Sequence, residues 1–221
     1  MNAMINSEMD NKNIGLLKNL WRLRQTLDVH CLISMNAAAI NRGVGKSFFT
    51  FLEMSCQHLM ALYICRVFEE EVPVSGGKVR YELDSIGGVL RAMDGGKASV
   101  LDSDRIGGFV EKYGTDSDEC GLAAISTVIK EFRQQHHEAL SGCKTLRDKW
   151  IAHGESGFTA KGAPSYGLME RLFNFGLDFY MLVSQAVGVG PVDLNRDRKV
   201  RTSLKRTLEK LGCEDVRTEM T

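Results

Sequence analysis

FRQQHHEALSGCKTLRDKWIAH, residues 132 to 153, is the stretch whose reading decides the fold. Phe132, His136, Ala139, Cys143, Leu146, Trp150 and His153 recur at alternating steps of four and three, the spacing that lines one face of an α-helix and packs it against partner helices. A half-buried strand would alternate every second residue, and this stretch does not. The spacing predicts a helix that starts at a cap near Asp116 or Ser117 and runs to His153, where Gly154 closes it. Gly142 is the point at which it bends or divides into two.

Three other stretches repeat the pattern. From Ile14 to about Asn41, the residues Leu17, Leu20, Trp21, Leu27, Cys31, Met35 and Ala38 share helical spacing and leave Lys18, Arg22 and Asp28 for other faces. From Lys46 to about Glu71, the seam is Phe48, Leu52, Ser55, Leu59, Leu62 and Arg66, again in steps of four and three. Pro73 ends that helix. Pro164 opens a fourth, with Leu168, Leu172, Phe175, Phe179, Leu182 and Ala186 on one stripe and Gly188, Gly190 and Pro191 to stop it.

Four such stripes bury one another in an all-α antiparallel bundle of four long helices with short extra helices. The expected organisation is a flexible lead-in over residues 1 to 13, a bundle over 14 to 190, and a basic C-terminal helix over 195 to 212. Residues 72 to 119 form a Gly-rich insertion with four Gly-Gly doublets. Within it, Asp84 to Met93 and Asp104 to Tyr113 read as short helices with acidic first turns, in a region of flexibility or close backbone packing.

Composition narrows the function. The 221 residues carry 28 Lys and Arg against 28 Asp and Glu, so no global field attracts a polyanion and any nucleic-acid grip must be local. The one concentrated positive patch is the C-terminal segment, where Arg198, Lys199, Arg201 and Lys205 are candidate RNA contacts beside the plainer reading of an exposed amphipathic helix. Six cysteines without a CxxC pair fit reduced thiols, and the polar, acidic N-terminus lacks the features of a signal peptide. No uninterrupted apolar run reaches spanning length, so a cytoplasmic location and no membrane partner are expected.

NRGVGKS at 41 to 47 falls short of a phosphate loop, because Ile40 stands where a glycine is needed and a helix precedes it in place of a strand. It reads as a turn with Gly43 and Gly45. His136 and His137 are adjacent, hence about 100° apart on a helix, and Cys56 with His58 is an equally poor pair for one face. No metal and no cofactor are expected.

The residues placed for chemistry are Arg147, Asp148 and His153, with Lys149 a turn below the histidine. Arg147 can hold a phosphate by bidentate contacts, and His153 can exchange a proton near neutral pH. Arg66 occupies a core-type position three and four residues before Glu69 and Glu70, so it either pairs with those carboxylates or borders the same pocket. On an ideal helix Arg147 and His153 lie about 120° apart around the axis and about 9 Å along it, which favours a site shared between two protomers. The alternative is structural: His153 interacts with the helix C-terminus and Arg147 pairs with a carboxylate.

The run LRDKWIAH resembles the signature of the HEPN superfamily, an arginine followed by Asn or Asp and, four to six residues later, a histidine. Arg147, Asp148 and His153 fill those places, and Ala152 precedes the histidine. More narrowly, the long N-terminal helix and a second helix ending in ICRVFEE, with Arg66 and Glu69, look like the AbiU-like branch of abortive-infection proteins. The resemblance spans about residues 14 to 188. It implies a helical bundle that forms a homodimer with the two motifs facing each other, and a metal-independent endoribonuclease with Arg147, His153 and Asp148 in its active site. It also implies a toxin or phage-defence effector restrained in some cases by an antitoxin protein, or a non-catalytic relative that serves dimerisation and regulation. The Gly-rich stretch is longer than a minimal bundle of this kind needs.

Overall fold

The long N-terminal helix begins at Asn2 and not at Ile14. In a computed structural model, residues 2–42, 45–70, 84–94, 101–114, 120–152, 164–184, 192, 194 and 199–213 are described, residues 2–10 and 150–152 by backbone alone. Helix α1 spans Asn2–Met35. The backbone of the polar lead-in from Asn2 is helical, and at its end Lys12 and Asn13 are buried. The Asn36 side chain donates to the Leu32 carbonyl at 2.8 Å, and α2 (Ala37–Arg42) follows. Gly45 then adopts φ 108°, a left-handed conformation that strains any residue with a β-carbon, and α3 (Lys46–Phe68) starts there. The turn reading of 41 to 47 holds at Gly45, while Gly43 lies outside the described residues.

Helix α3 turns its other face to the core. Phe49, Cys56, Met60, Ile64 and Val67 are buried, whereas Phe48 and Leu59 of the expected seam are exposed, Arg66 with them. Leu52, Ser55 and Leu62 are half-buried. The helix is apolar on two faces, so periodicity locates both and cannot choose between them.

The two short helices fall close to where their pattern places them, as α4 (Ile86–Asp94) and α5 (Ser103–Tyr113). The carboxylate of Asp102 caps α5 by accepting from the Asp104 amide at 3.0 Å. Far from being loose, these pieces supply core: Ile86, Val89, Met93, Ile106 and Phe109 are buried.

The helix of the deciding stretch is broken at His136, not Gly142, into α6 (Gly121–Gln135) and α7 (His137–Thr145). Cys120 precedes α6 as its cap residue, and the expected cap positions 116 and 117 lie outside the described residues. Its seam is right from Phe132 through His136, Ala139 and Cys143 to Leu146, all buried. Residues Leu146–Ala152 continue as a π-helix, π1. Helix α8 (Tyr166–Ser184) is buried on several sides, and α9 (Lys199–Lys210) closes the order.

Four long helical spans, α1, α3, α6 with α7, and α8, thus form an all-α bundle, and no strand occurs among the described residues. Helix α1 packs on α3, α8, α4 and α9, while α3 packs on α7, π1 and α8. Gly176 lets α8 come close to α1 and α3, since a β-carbon there would stand 3.0 Å from Leu20 Cδ2 and 3.1 Å from Val67 Cγ1. Around Phe175 the aromatic rings of α3, α5, α6 and α8 meet: Phe132 stacks on it at 3.7 Å between centroids, with Tyr113 at 4.9 Å, Phe109 at 5.5 Å and Phe68 at 6.0 Å. This cluster fixes the C-terminal end of α3 against α6, and so sets the height at which π1 meets α3.

Candidate active site

The end of α3 supplies one wall of the site. The last turn closes with the Glu69 amide donating to the Cys65 carbonyl at 2.7 Å, after which the backbone becomes extended and Glu69 and Glu70 follow one another. The facing wall is α6 and α7, which continue into π1. Between them lies a cleft of about 620 Å³, lined among others by Glu69, Arg133, His137, Ser141, Lys144 and Arg147.

Arg147 spans the cleft. Its Nη1 donates to Glu69 Oε1 at 2.8 Å and its Nε to Asp148 Oδ1 at 2.7 Å. Burial alone would pull its pKa down, but the hydrogen bonds from Asp148 and Glu69 outweigh that and the net shift is upward, so Arg147 is a permanent cation. A second ion pair runs parallel, with Arg133 Nη1 at 2.9 Å from Glu70 Oε1. Each of the two consecutive carboxylates at the end of α3 therefore holds one arginine from the opposite wall. Cys65 also borders the cleft, but burial pushes its thiol up to about 11, the nearby Arg147 notwithstanding, so it is protonated at neutral pH and no nucleophile.

The π-helical turn matters for geometry. Such turns replace i→i+4 bonding by i→i+5 and occur often at functional sites. The 120° separation of Arg147 and His153 presupposes an ideal α-helix, and the backbone from Leu146 to Ala152 is not one. His153 itself lies outside the described residues, one position beyond π1.

The other candidates divide. Glu69 and Asp148 meet Arg147 directly. Arg66 does not join them: it is exposed, with its guanidinium 5.8 Å from the Tyr63 ring centroid, because Arg147 and Arg133 engage the two carboxylates expected to pair with it. Lys149 is exposed. In the basic C-terminal segment Arg198 lies outside the described residues and Lys199 is exposed. Arg201 is turned inward, 3.7 Å from the buried carboxylate of Asp28, and Lys205 pairs with Glu209 at 3.8 Å. Asp28 is buried, and its ion pair with Arg201 fastens α9 to α1, so this candidate RNA contact is engaged within its own chain.

Arg133, His137 and Lys144 were not singled out by sequence. A signal exists, since Arg133, His137, Lys144 and Arg147 each directly follow a seam residue, Phe132, His136, Cys143 and Leu146. One step along the chain from a buried stripe lies one flank of it, and here that flank is basic. Comparison with family models, curated proteins and solved structures returns no match for this chain.

Proposed function

We propose that the cleft beside Arg147 is the active site of a metal-independent endoribonuclease of the HEPN type. The observation that carries this is an arginine held by two carboxylates, at the wall of an open cleft, on a π-helical segment whose last residue precedes His153 in the sequence.

In this reading a phosphodiester enters the cleft and accepts from Arg147, with Arg133 and Lys144 in reach of neighbouring phosphates. The 2′-hydroxyl of the preceding ribose gives its proton to His153 and bonds to phosphorus. The bond from phosphorus to the 5′-oxygen breaks, water protonates that oxygen, and a 2′,3′-cyclic phosphate remains. Because the nucleophile belongs to the substrate, a proton acceptor and a fixed cation suffice. General base catalysis by one positioned group is worth roughly a hundred- to ten-thousand-fold, and a fixed donor at the growing negative charge a further hundred- to thousand-fold. Glu69 and Asp148 orient the guanidinium, so that little reorganisation accompanies the reaction.

A second reading is favoured by one observation: both carboxylate contacts of Arg147 are good hydrogen bonds that tie π1 to α3. The chain is then a non-catalytic regulatory protein, and the arginine is a clamp. Cleavage of a mixed RNA pool in EDTA separates the two. Wild type cleaves, and His153→Ala and Arg147→Lys each lose at least about a hundredfold while keeping the wild-type circular dichroism. No cleavage by wild type, or equal cleavage by His153→Ala, overturns the nuclease reading.

A further inference from the structure

Helix α9 has two faces of different chemistry. One holds it to the bundle: Leu208 is buried, Leu204 packs in the same small core, and Arg201 pairs with Asp28. The other is formed by Lys199, Thr202, Ser203, Arg206, Thr207 and Lys210, all exposed. At about 100° per residue, the three cations Lys199, Arg206 and Lys210 fall within about 40° of one another around the helix, almost opposite Leu208. Along the axis they stand about 10 Å and about 6 Å apart. None of the three forms an ion pair among the described residues, whereas Lys205, off this stripe, pairs with Glu209 at 3.8 Å.

The stripe holds no apolar residue, and that selects its occupant. The core of a protein interface is apolar and aromatic, and a helix that lies in a membrane surface buries an apolar face there. In α9 that face is already packed into the chain's own core through Leu204 and Leu208. Phosphate oxygens, by contrast, are bound by the side chains that line this stripe, Lys and Arg with Ser and Thr between them. In a chain whose charges balance overall, a row of uncompensated cations is a local grip on a polyanion.

We propose that the outward stripe of α9 binds the phosphate backbone of RNA, at a distance from the cleft. The proposal rests on the nuclease reading for its choice of RNA as the polyanion. Of the RNA contacts expected from the sequence, Lys199 lies on the stripe, while Arg201 and Lys205 are engaged within the chain. Arg206 and Lys210 join Lys199 because the docking of Leu208 turns them outward. Leu208 shares its core with Phe49 at the start of α3, and Glu69 stands twenty residues further on, so stripe and cleft lie about 30 Å apart along α3. A dinucleotide cannot reach from one to the other, and a long strand can. The stripe therefore raises affinity for long RNA without base preference.

The test is fluorescence anisotropy of an end-labelled, fully 2′-O-methylated RNA of about 30 nucleotides, long enough to span both sites and without a 2′-hydroxyl to attack. The full chain is compared with a variant carrying Lys199→Gln, Arg206→Gln and Lys210→Gln, which leaves Arg201, Leu204 and Leu208 in place. The variant is expected to melt with wild type, to bind at least about tenfold more weakly at about 50 mM salt, and to lower the slope of log K against log salt by about 2, three contacts at about 0.7 each. Exchanging the cations by Lys199→Arg, Arg206→Lys and Lys210→Arg keeps both affinity and slope. A wild type that does not bind this RNA, a Gln variant with wild-type affinity or slope, or flotation of wild type with anionic vesicles in place of RNA binding overturns the proposal. Binding through the stripe without cleavage of any RNA in EDTA sinks the nuclease reading alone, and cleavage by a chain whose Gln variant binds as tightly as wild type sinks this proposal alone.

Discussion

Two arginine clusters of similar composition stand at opposite fates in this molecule. In one, Asp28 receives Arg24 at 2.5 Å and Arg201 at 3.7 Å, with side-chain exposures of 6% for Arg24 and 3% for Asp28. In the other, Arg147 meets Glu69 and Asp148 at comparable distances, but those carboxylates are 33% and 45% exposed, and Arg147 and Glu69 line an open cleft. A buried pair has no competitor for its partners, and breaking it strands a charge in the core. A pair at a cleft exchanges partners at small cost, so a phosphate can replace a carboxylate oxygen on Arg147. Connectivity makes one cluster a rivet between α1 and α9, and access leaves the other open to a ligand.

The largest expected effect tests the rivet. Asp28→Ala leaves Arg201 without its carboxylate and Arg24 with only Glu170 at 3.6 Å, and costs about 3 kcal/mol, a fall in Tm on the order of 10 °C. Cleavage per folded molecule is unchanged. A melting temperature within about 2 °C of wild type would break the comparison. Arg201→Ala is milder, about 1–2 kcal/mol, because Arg24 still neutralises Asp28. Limited proteolysis then releases the α9 segment earlier than in wild type. Arg147→Ala is expected to cost stability least, about 1 kcal/mol or less for a pair this open, while cleavage falls at least about a hundredfold. A large loss of stability with cleavage retained would invert the assignment of the two clusters.

Burial also shapes the response to acid. His30 has a lowered pKa, mainly from desolvation and against the pull of Glu53 at 4.0 Å, and His136 is lowered by burial and then by Arg171. The unfolded chain therefore takes up protons first as pH falls through the ordinary value of 6.5, and stability drops from there toward the folded pKa. Thermal melts between pH 7.5 and 5.5 should show a declining Tm, and His136→Gln a shallower decline. A Tm that rises on acidification contradicts this.

How much of this was legible in the sequence depends on whether one face or two carried the signal. The seam from Phe132 to Leu146 was readable because the flank beside it is polar or basic, so only one face could turn inward. In α3 the same periodicity pointed to the wrong face, because Phe48, Phe51 and Leu59 are as apolar as the residues that the core took. The lead-in looked loose because packing on Lys12 and Asn13 has no local trace. At the site, Arg147 and Asp148 were found as a motif. Glu69 was found only as a neighbour of Arg66, and its true partner lies 78 residues away in the chain. The Arg201 contact with Asp28 is likewise non-local, so the pattern of the basic helix shows its charge and not the partner of Arg201.

In the proposed mechanism, Arg147 and His153 cut RNA by attack of its own 2′-hydroxyl. The most direct measurement is the chemistry of the ends left by wild type and His153→Ala on a labelled RNA in EDTA. Wild type is predicted to leave 2′,3′-cyclic phosphate and 5′-hydroxyl ends, and His153→Ala to leave the RNA intact. Ends carrying a 5′-phosphate, or cyclic ends produced equally by His153→Ala, would contradict the account.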